Sequence, residues 1–206
     1  MKLYTRISQL FYYKAFLLSV ILGPVFIFLH EIVHAVFFEL GGIKAHFLRF
    51  SMAAPINFTY DFYDLKKAVS FYNSSNHVVF AAAISAPLFT LIFSYISLLL
   101  YRLNKKIIFW VLSINPLIFR LVGATIKIPA FVDGYATTSD EAVAARFINV
   151  PLTTFLWPSL VLGYLCIILL FLCTEKNNRL KYMTSTILGG TLGYFIIEQL
   201  VNMFII

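Results

Sequence analysis

Long apolar stretches constrain the fold of this chain more than any other feature of its sequence. A helix that crosses the hydrocarbon core of a bilayer needs about 20 consecutive, mostly apolar residues. Because 61% of the 206 residues are hydrophobic and only 12% are charged, the chain is unlike an ordinary soluble domain. We therefore predict an all-α polytopic membrane protein, integral and multi-pass, with one membrane-embedded domain over residues 1–206. The sequence indicates about five transmembrane helices, at about 15–40, 77–101, 107–126, 152–173 and 183–206.

The net charge of +7 does not indicate nucleic-acid binding. The basic residues cluster at the ends of the apolar stretches, where cations contact anionic headgroups and control topology. Examples are Lys2, Arg6, Lys14, Arg102, Lys105 and Lys106. The expected partner is the lipid bilayer, and no nucleic acid is expected.

The longest polar interval is 41–75, directly after the first apolar stretch. Gly41 and Gly42 are typical of a helix end. Ala45–Met52 and Ile56–Tyr63 have strand-like composition and Pro55 lies between them, which predicts a small surface β-hairpin. An unpaired strand there can bind an extended peptide by edge addition.

The motif His30-Glu31-Ile32-Val33-His34 lies inside the first apolar stretch. Residues four apart share one face of a helix, so both imidazoles can reach one metal ion. Glu31 lies beside them, where it can take a proton from a metal-bound water. Ionisable residues are costly inside a bilayer and are functional candidates by default. Since the chain has only two cysteines, any further metal ligand must be a histidine or a carboxylate.

The third predicted helix contains Asn115-Pro116. Proline has no N–H and leaves a helix carbonyl without its usual donor. We expect the helix to bend there, with the Asn115 side chain satisfying the backbone groups that Pro116 frees.

Three features together resemble the site-2 protease family of intramembrane zinc metalloproteases. The first is the motif His30–His34 in a membrane helix, and the second is Ser85-Ala86-Pro87 in the next helix. The third is Ile128–Gly134, where a proline-containing segment leads into Asp133-Gly134. The resemblance covers residues 15–150. It implies a zinc endopeptidase that cleaves membrane-associated protein or peptide substrates.

In that family two histidines and the aspartate of Asp-Gly bind zinc, and the glutamate activates water. Transferred to this chain, the zinc ligands are His30, His34 and Asp133, and the catalytic residue is Glu31. The orientation in the membrane and the oligomeric state stay open.

Asp140 is an alternative to Asp133 as the third ligand. Gly134 permits a close backbone approach next to Asp133. Asp140 follows Ser139 in a segment typical of a helix start, and a first helical turn fixes the direction of a carboxylate. An acid there also has a structural explanation, because it interacts favourably with the helix dipole. The sequence favours Asp133 over Asp140.

Two other functions are compatible with the sequence. One is a different membrane zinc peptidase in which Glu198, on the last helix, is the third ligand. The other is a metal-binding or transport membrane protein without proteolytic activity, in which His30, His34 and nearby acids line an ion path.

Overall fold

A computed structural model describes residues 2–49, 52–55, 77–132 and 139–205, and this part of the chain is almost entirely helical. The helices are α1 (Lys2–Leu40), α2 (His77–Asn104), α3 (Ile107–Val132), α4 (Asp140–Phe147), α5 (Thr153–Cys173) and α6 (Arg179–Ile205). Two short strands, β1 (Ala45–Arg49) and β2 (Met52–Pro55), follow α1. Within the described residues, three helical segments are long and apolar enough to cross a membrane: Tyr12–Leu40, His77–Asn104 and Thr153–Cys173.

Helix α1 begins at Lys2, thirteen residues before the predicted start of the first apolar helix. Residues 2–20 contain neither glycine nor proline. No helix-breaking residue therefore separates the first turns of α1 from the apolar stretch. The other bounds differ less; α3 continues to Val132, six residues past its predicted end at about 126.

The end of α1 lies at the predicted pair of glycines. Gly42 has a φ of 77°, the left-handed conformation that glycine adopts without strain. Its N–H donates to the Glu39 carbonyl at 3.0 Å, and the Ile43 N–H donates to the Phe38 carbonyl at 2.9 Å. These two bonds form a Schellman motif. Ile43 packs against the core cluster that contains Phe38.

Strands β1 and β2 pair antiparallel, with Ala45 opposite Pro55 and Arg49 opposite Met52. Pro55 therefore ends the second strand, whereas the predicted hairpin had Pro55 between its strands. A proline is tolerated at that position because it ends an edge strand. The predicted second strand, Ile56–Tyr63, lies outside the described residues.

The chain divides into two compact units. Unit 1 comprises Met1–Ile27, Thr90–Arg120 and Gly163–Ile206, and unit 2 comprises Phe28–Phe89 and Leu121–Leu162. The core of unit 2 is small and apolar, and it joins the end of α1, the start of α2 and helix α4. Its buried members are Phe38, Val79, Ala82, Ala83, Val143 and Ala144.

Within unit 1, α2, α3 and α5 pack through polar contacts between buried side chains. The Ser113 hydroxyl of α3 donates to the Ser94 carbonyl of α2 at 3.0 Å and lies 3.7 Å from the Cys166 sulfur of α5. Trp110 Nε1 donates to the hydroxyl of Thr174, which follows α5, at 2.9 Å. Trp110 precedes Ser113 in α3, whereas its partner Thr174 comes after Cys166 in the chain. Helices α3 and α5 therefore run antiparallel.

Helix α6 runs parallel to α3 in unit 1. The ring of Trp110 lies 5.5 Å from the ring of Tyr182, and the ring of Phe119 lies 5.6 Å from the ring of Tyr194. Later residues of one helix thus meet later residues of the other.

Helix α6 also packs closely against α1 in unit 1. A Cβ on Gly189 would collide with the Phe16 carbonyl, and a Cβ on Gly193 would collide with the Val20 carbonyl. Glycines four residues apart let two helix backbones approach at this distance. The order of the contacts makes α1 and α6 parallel as well.

One local prediction for α3 is wrong. Asn115 is buried, yet neither its Nδ2 nor its Oδ1 has a hydrogen-bond partner within the described part of the chain. The amide therefore does not satisfy the backbone groups that Pro116 frees. It faces α6 instead, where its Oδ1 would lie 3.0 Å from a Cβ on Gly190.

Candidate metal centre

His30 and His34 lie one turn apart in the second half of α1, as their spacing predicts. Their ring centroids are 4.9 Å apart and the ring planes are nearly perpendicular, at 85°. The two Nε2 atoms lie close to the same carboxylate, that of Asp140.

Asp140 is the first residue of α4, and several contacts in unit 2 fix that short helix. Ser139 caps it as predicted: its carbonyl accepts from the Val143 N–H at 3.0 Å, and its hydroxyl lies 3.4 Å from the Ala142 N–H. Val143 belongs to the core of unit 2. At the other end, the Phe147 ring stacks on the Phe80 ring at 4.9 Å. The carboxylate is therefore carried by a helix that is held at both ends.

The three side chains converge on a small space. His30 Nε2 lies 3.3 Å from Asp140 Oδ2, and His34 Nε2 lies 3.4 Å from Asp140 Oδ1. One ligand atom from each residue lies within 4.8 Å of the others. Two ligand atoms that bind zinc tetrahedrally at about 2.0–2.1 Å lie about 3.3 Å apart. The two histidine–carboxylate separations match this spacing, and the three residues could hold a metal ion.

The protonation of His34 is set by its second ring nitrogen. Nδ1 lies 2.8 Å from the Ala82 carbonyl oxygen of α2, and a carbonyl can only accept, so Nδ1 carries the proton. In the neutral ring the lone pair is then on Nε2, which faces the Asp140 carboxylate. Two acceptors at that distance repel each other unless a proton or a metal cation lies between them. A histidine whose other N–H binds a backbone carbonyl is typical of metal sites.

The Asp140 carboxylate is ionised at neutral pH. Burial alone would raise the pKa of its carboxyl, but the charge of the facing His34 and the hydrogen bonds from His30 and His34 hold the pKa well below its usual range. Its side chain keeps 27% of its surface exposed. An ionised, partly exposed carboxylate is a suitable donor for a metal ion.

The structure brings together three of the predicted site residues: His30, His34 and Asp140. Glu31, the predicted catalytic residue, is partly buried on α1 between the two histidines. Asp133, the acid that the sequence favours as third ligand, lies outside the described residues. Glu198 belongs to unit 1, whereas the three converging residues belong to unit 2.

Sequence reasoning missed the partner of His34. The Ala82 carbonyl carries no signal of its own, but Ala82, Ala83 and Ala86 are all buried at the start of α2. Small side chains there allow α1 to approach the backbone of α2. The alanine-rich sequence predicts this close approach, although it does not identify which carbonyl is used.

Glu141, next to Asp140, is also buried, which sequence reasoning did not anticipate. The Ser159 hydroxyl of α5 donates to its Oε1 at 3.5 Å. This contact ties the first turn of α4 to α5 within unit 2, so it helps to fix the direction of Asp140.

In comparisons with known proteins, no family model, no curated protein and no solved structure matches this chain. The class of site is therefore defined by its residues: two imidazoles and a carboxylate that can hold a metal ion.

Proposed function

We propose that the protein is an intramembrane zinc metalloprotease, similar to the site-2 proteases, that cleaves membrane-associated proteins or peptides. The observation that carries this proposal is the convergence of His30 Nε2 and His34 Nε2 on the two oxygens of one carboxylate, that of Asp140. His30, His34 and Asp140 are the proposed zinc ligands. The glutamate of the motif, Glu31, is the proposed catalytic residue.

The chain's own residues have defined roles in this reaction. His30, His34 and Asp140 would hold the ion, and with three protein ligands it could still bind water or substrate. When bound, zinc would supply a Lewis acid that lowers the pKa of water and polarises a peptide carbonyl. Glu31 takes one proton from the attacking water as its oxygen bonds to the carbonyl carbon. It then gives that proton to the amine as the C–N bond breaks.

The choice of zinc over iron rests on the motif. Two histidines and one carboxylate also hold iron in non-haem oxygenases. The glutamate between the histidines favours zinc, because hydrolysis needs a proton acceptor beside the metal. Metal analysis of the purified protein distinguishes the two ions.

The proposal includes a multi-pass arrangement with five spans. Ser94 of α2 and Cys166 of α5 both meet Ser113. Lys105, directly after α2, donates to the Cys173 carbonyl at the end of α5 at 2.8 Å, so α2 and α5 are parallel. In unit 1, α1, α3 and α6 thus run in one direction and α2 and α5 run in the other. That alternation is what five successive crossings of a bilayer require, since each crossing reverses the direction of the chain. It supports the five apolar helices that the sequence predicts.

The two strands are the proposed substrate-binding element at the membrane surface. The Ala45 N–H donates to the Glu39 carboxylate at 2.8 Å, which fixes the start of β1 against the last turn of α1. Glu39 lies five residues after His34, about 7.5 Å along the helix. A strand edge at that distance can align an extended segment, and extended peptide is the form that a protease cleaves.

A metal carrier without proteolytic activity is the second candidate. The same three ligands favour it, because intramembrane histidines and acids also mark ion paths. A carrier needs the ligands but not a proton acceptor, so Glu31 distinguishes the two functions.

The test is cleavage of a membrane-tethered reporter by the full-length protein in proteoliposomes, with zinc content measured on the same samples. Glu31→Gln is expected to keep its zinc and to lose about 10²–10⁴-fold in rate, the usual contribution of a general base. Glu175→Gln is the matched control: it makes the same substitution at an exposed position away from the three converging residues and is expected to cleave at the wild-type rate. Full cleavage by Glu31→Gln contradicts the protease. Transport of zinc into the vesicles by both the wild type and Glu31→Gln, with no cleavage by either, supports the carrier.

A further inference from the structure

Unit 1 contains a cluster of buried polar groups that the proposed reaction does not use. Asn115 is 1% exposed and Thr186 is 0% exposed. Asn115 Nδ2, Asn115 Oδ1 and Thr186 Oγ1 have no hydrogen-bond partner within the described residues. Buried amides and hydroxyls are almost always paired, with protein or with ordered water, because leaving them bare costs free energy.

These groups lie at the same level of two parallel helices. The ring contacts of Trp110 with Tyr182 and of Phe119 with Tyr194 bracket them. On α6, Thr186 and Gly190 continue the four-residue spacing from Tyr182 to Tyr194, so they lie on the side that faces α3. Asn115 Oδ1 lies 3.0 Å from the position of a Cβ on Gly190. Thr186 lies four residues before Gly190, about 6 Å along the axis, a separation on the scale of one or two waters.

A further acceptor lies beside Asn115 on α3. Pro116 is inside the continuous helix, and it has no N–H to give to the Leu112 carbonyl four residues earlier. This carbonyl and the Asn115 side chain lie on adjacent parts of the helix surface, three residues apart. The cluster thus combines an amide, a hydroxyl and a carbonyl.

We propose that one or two water molecules occupy this cluster and join α3 to α6. The ligand must both donate and accept, because the amide offers a donor and an acceptor and the carbonyl offers an acceptor. Water does both, and a buried water typically makes about three hydrogen bonds to groups that are otherwise unpaired. A bare cation would satisfy the oxygens but not Nδ2. Gly190 provides the space, since a side chain there would reach Asn115.

A double-mutant cycle on the full-length protein in detergent tests this bridge by thermal unfolding. Asn115→Leu and Thr186→Val are each expected to lower the Tm. The double variant is expected to lower it by less than the sum, since either change removes the shared water. Ser185→Ala is the matched control: its hydroxyl already donates to the Lys181 carbonyl at 2.6 Å, so it is expected to add to Asn115→Leu. Additive effects of Asn115→Leu and Thr186→Val, or a rise in Tm for Asn115→Leu, overturn the proposal.

Hydroxyl-radical footprinting by brief X-ray radiolysis tests for the water itself. Phe119 is partly buried, and its ring lies 3.5 Å from the same Gly190 position. Radicals formed from a bound water are expected to label Phe119 in the wild type and not in the double variant. Absence of wild-type labelling, or a Tm that depends on sodium at constant ionic strength, shows that water is not the ligand.

Discussion

The two units bury polar side chains in opposite ways. In unit 2, buried groups meet partners of complementary charge: His34 faces Asp140 and also donates to Ala82. In unit 1, the buried groups include neutral ones without a partner within the described residues, such as Asn115 and Thr186. Charged groups that converge in an apolar setting indicate chemistry, because their burial is costly without a ligand or a function. Neutral polar groups between helices indicate packing.

The largest expected effect is a loss of zinc affinity when a proposed ligand in unit 2 is removed. His34→Ala removes a proposed zinc ligand together with the bond to Ala82. We expect zinc affinity to fall more than about 100-fold, since losing only an outer hydrogen bond costs about 10–100-fold. Competition with a fluorescent chelator measures this affinity. Wild-type zinc affinity in His34→Ala would contradict the assignment of the buried charged groups of unit 2 to metal binding.

The largest structural effect is expected in unit 1. Gly193→Leu places a side chain against the Val20 carbonyl, which even a Cβ would contact. We expect the free energy of unfolding to fall by at least about 3 kcal/mol, the upper range for overpacking. Size-exclusion chromatography and thermal unfolding measure the loss. Leu192→Ala, at an exposed position of the same helix, is the control and is expected to keep a wild-type Tm.

How far the sequence predicts this molecule depends on whether a feature is local. The shared face of His30 and His34 follows from helix periodicity, and the end of α1 follows from Gly42, so both could be predicted. The meeting of His30 with Asp140 joins residues 110 positions apart. Their contact depends on how α4 packs in unit 2, which no local pattern encodes.

The wrong prediction for Asn115 has the same origin. Its position before Pro116 predicts a local role in α3, since a proline frees a neighbouring carbonyl. Glycine at position 190 lets α6 approach, and the amide faces that helix instead. Tertiary packing therefore overrides a local preference at this position.

A smaller effect tests whether unit 1 is independent of the metal. Trp110 is fully buried, and its Nε1 donates to the Thr174 hydroxyl. Thr174→Val leaves that donor unpaired at nearly constant volume, so the free energy of unfolding is expected to fall by about 1–3 kcal/mol. Chemical denaturation measures the change, and zinc content is expected to stay at the wild-type level. A loss of zinc in Thr174→Val shows that the metal centre depends on unit 1.

The most direct test of the metal centre compares the two candidate acids. Zinc stoichiometry and X-ray absorption spectra are measured for purified wild type, Asp140→Ala and Asp133→Ala. We expect stoichiometric zinc with two imidazole ligands and oxygen donors in the wild type and in Asp133→Ala, and loss of zinc in Asp140→Ala, because Asp140 faces both histidines. Zinc that stays in Asp140→Ala and is lost from Asp133→Ala would contradict the assignment and return the third ligand to the Asp-Gly pair.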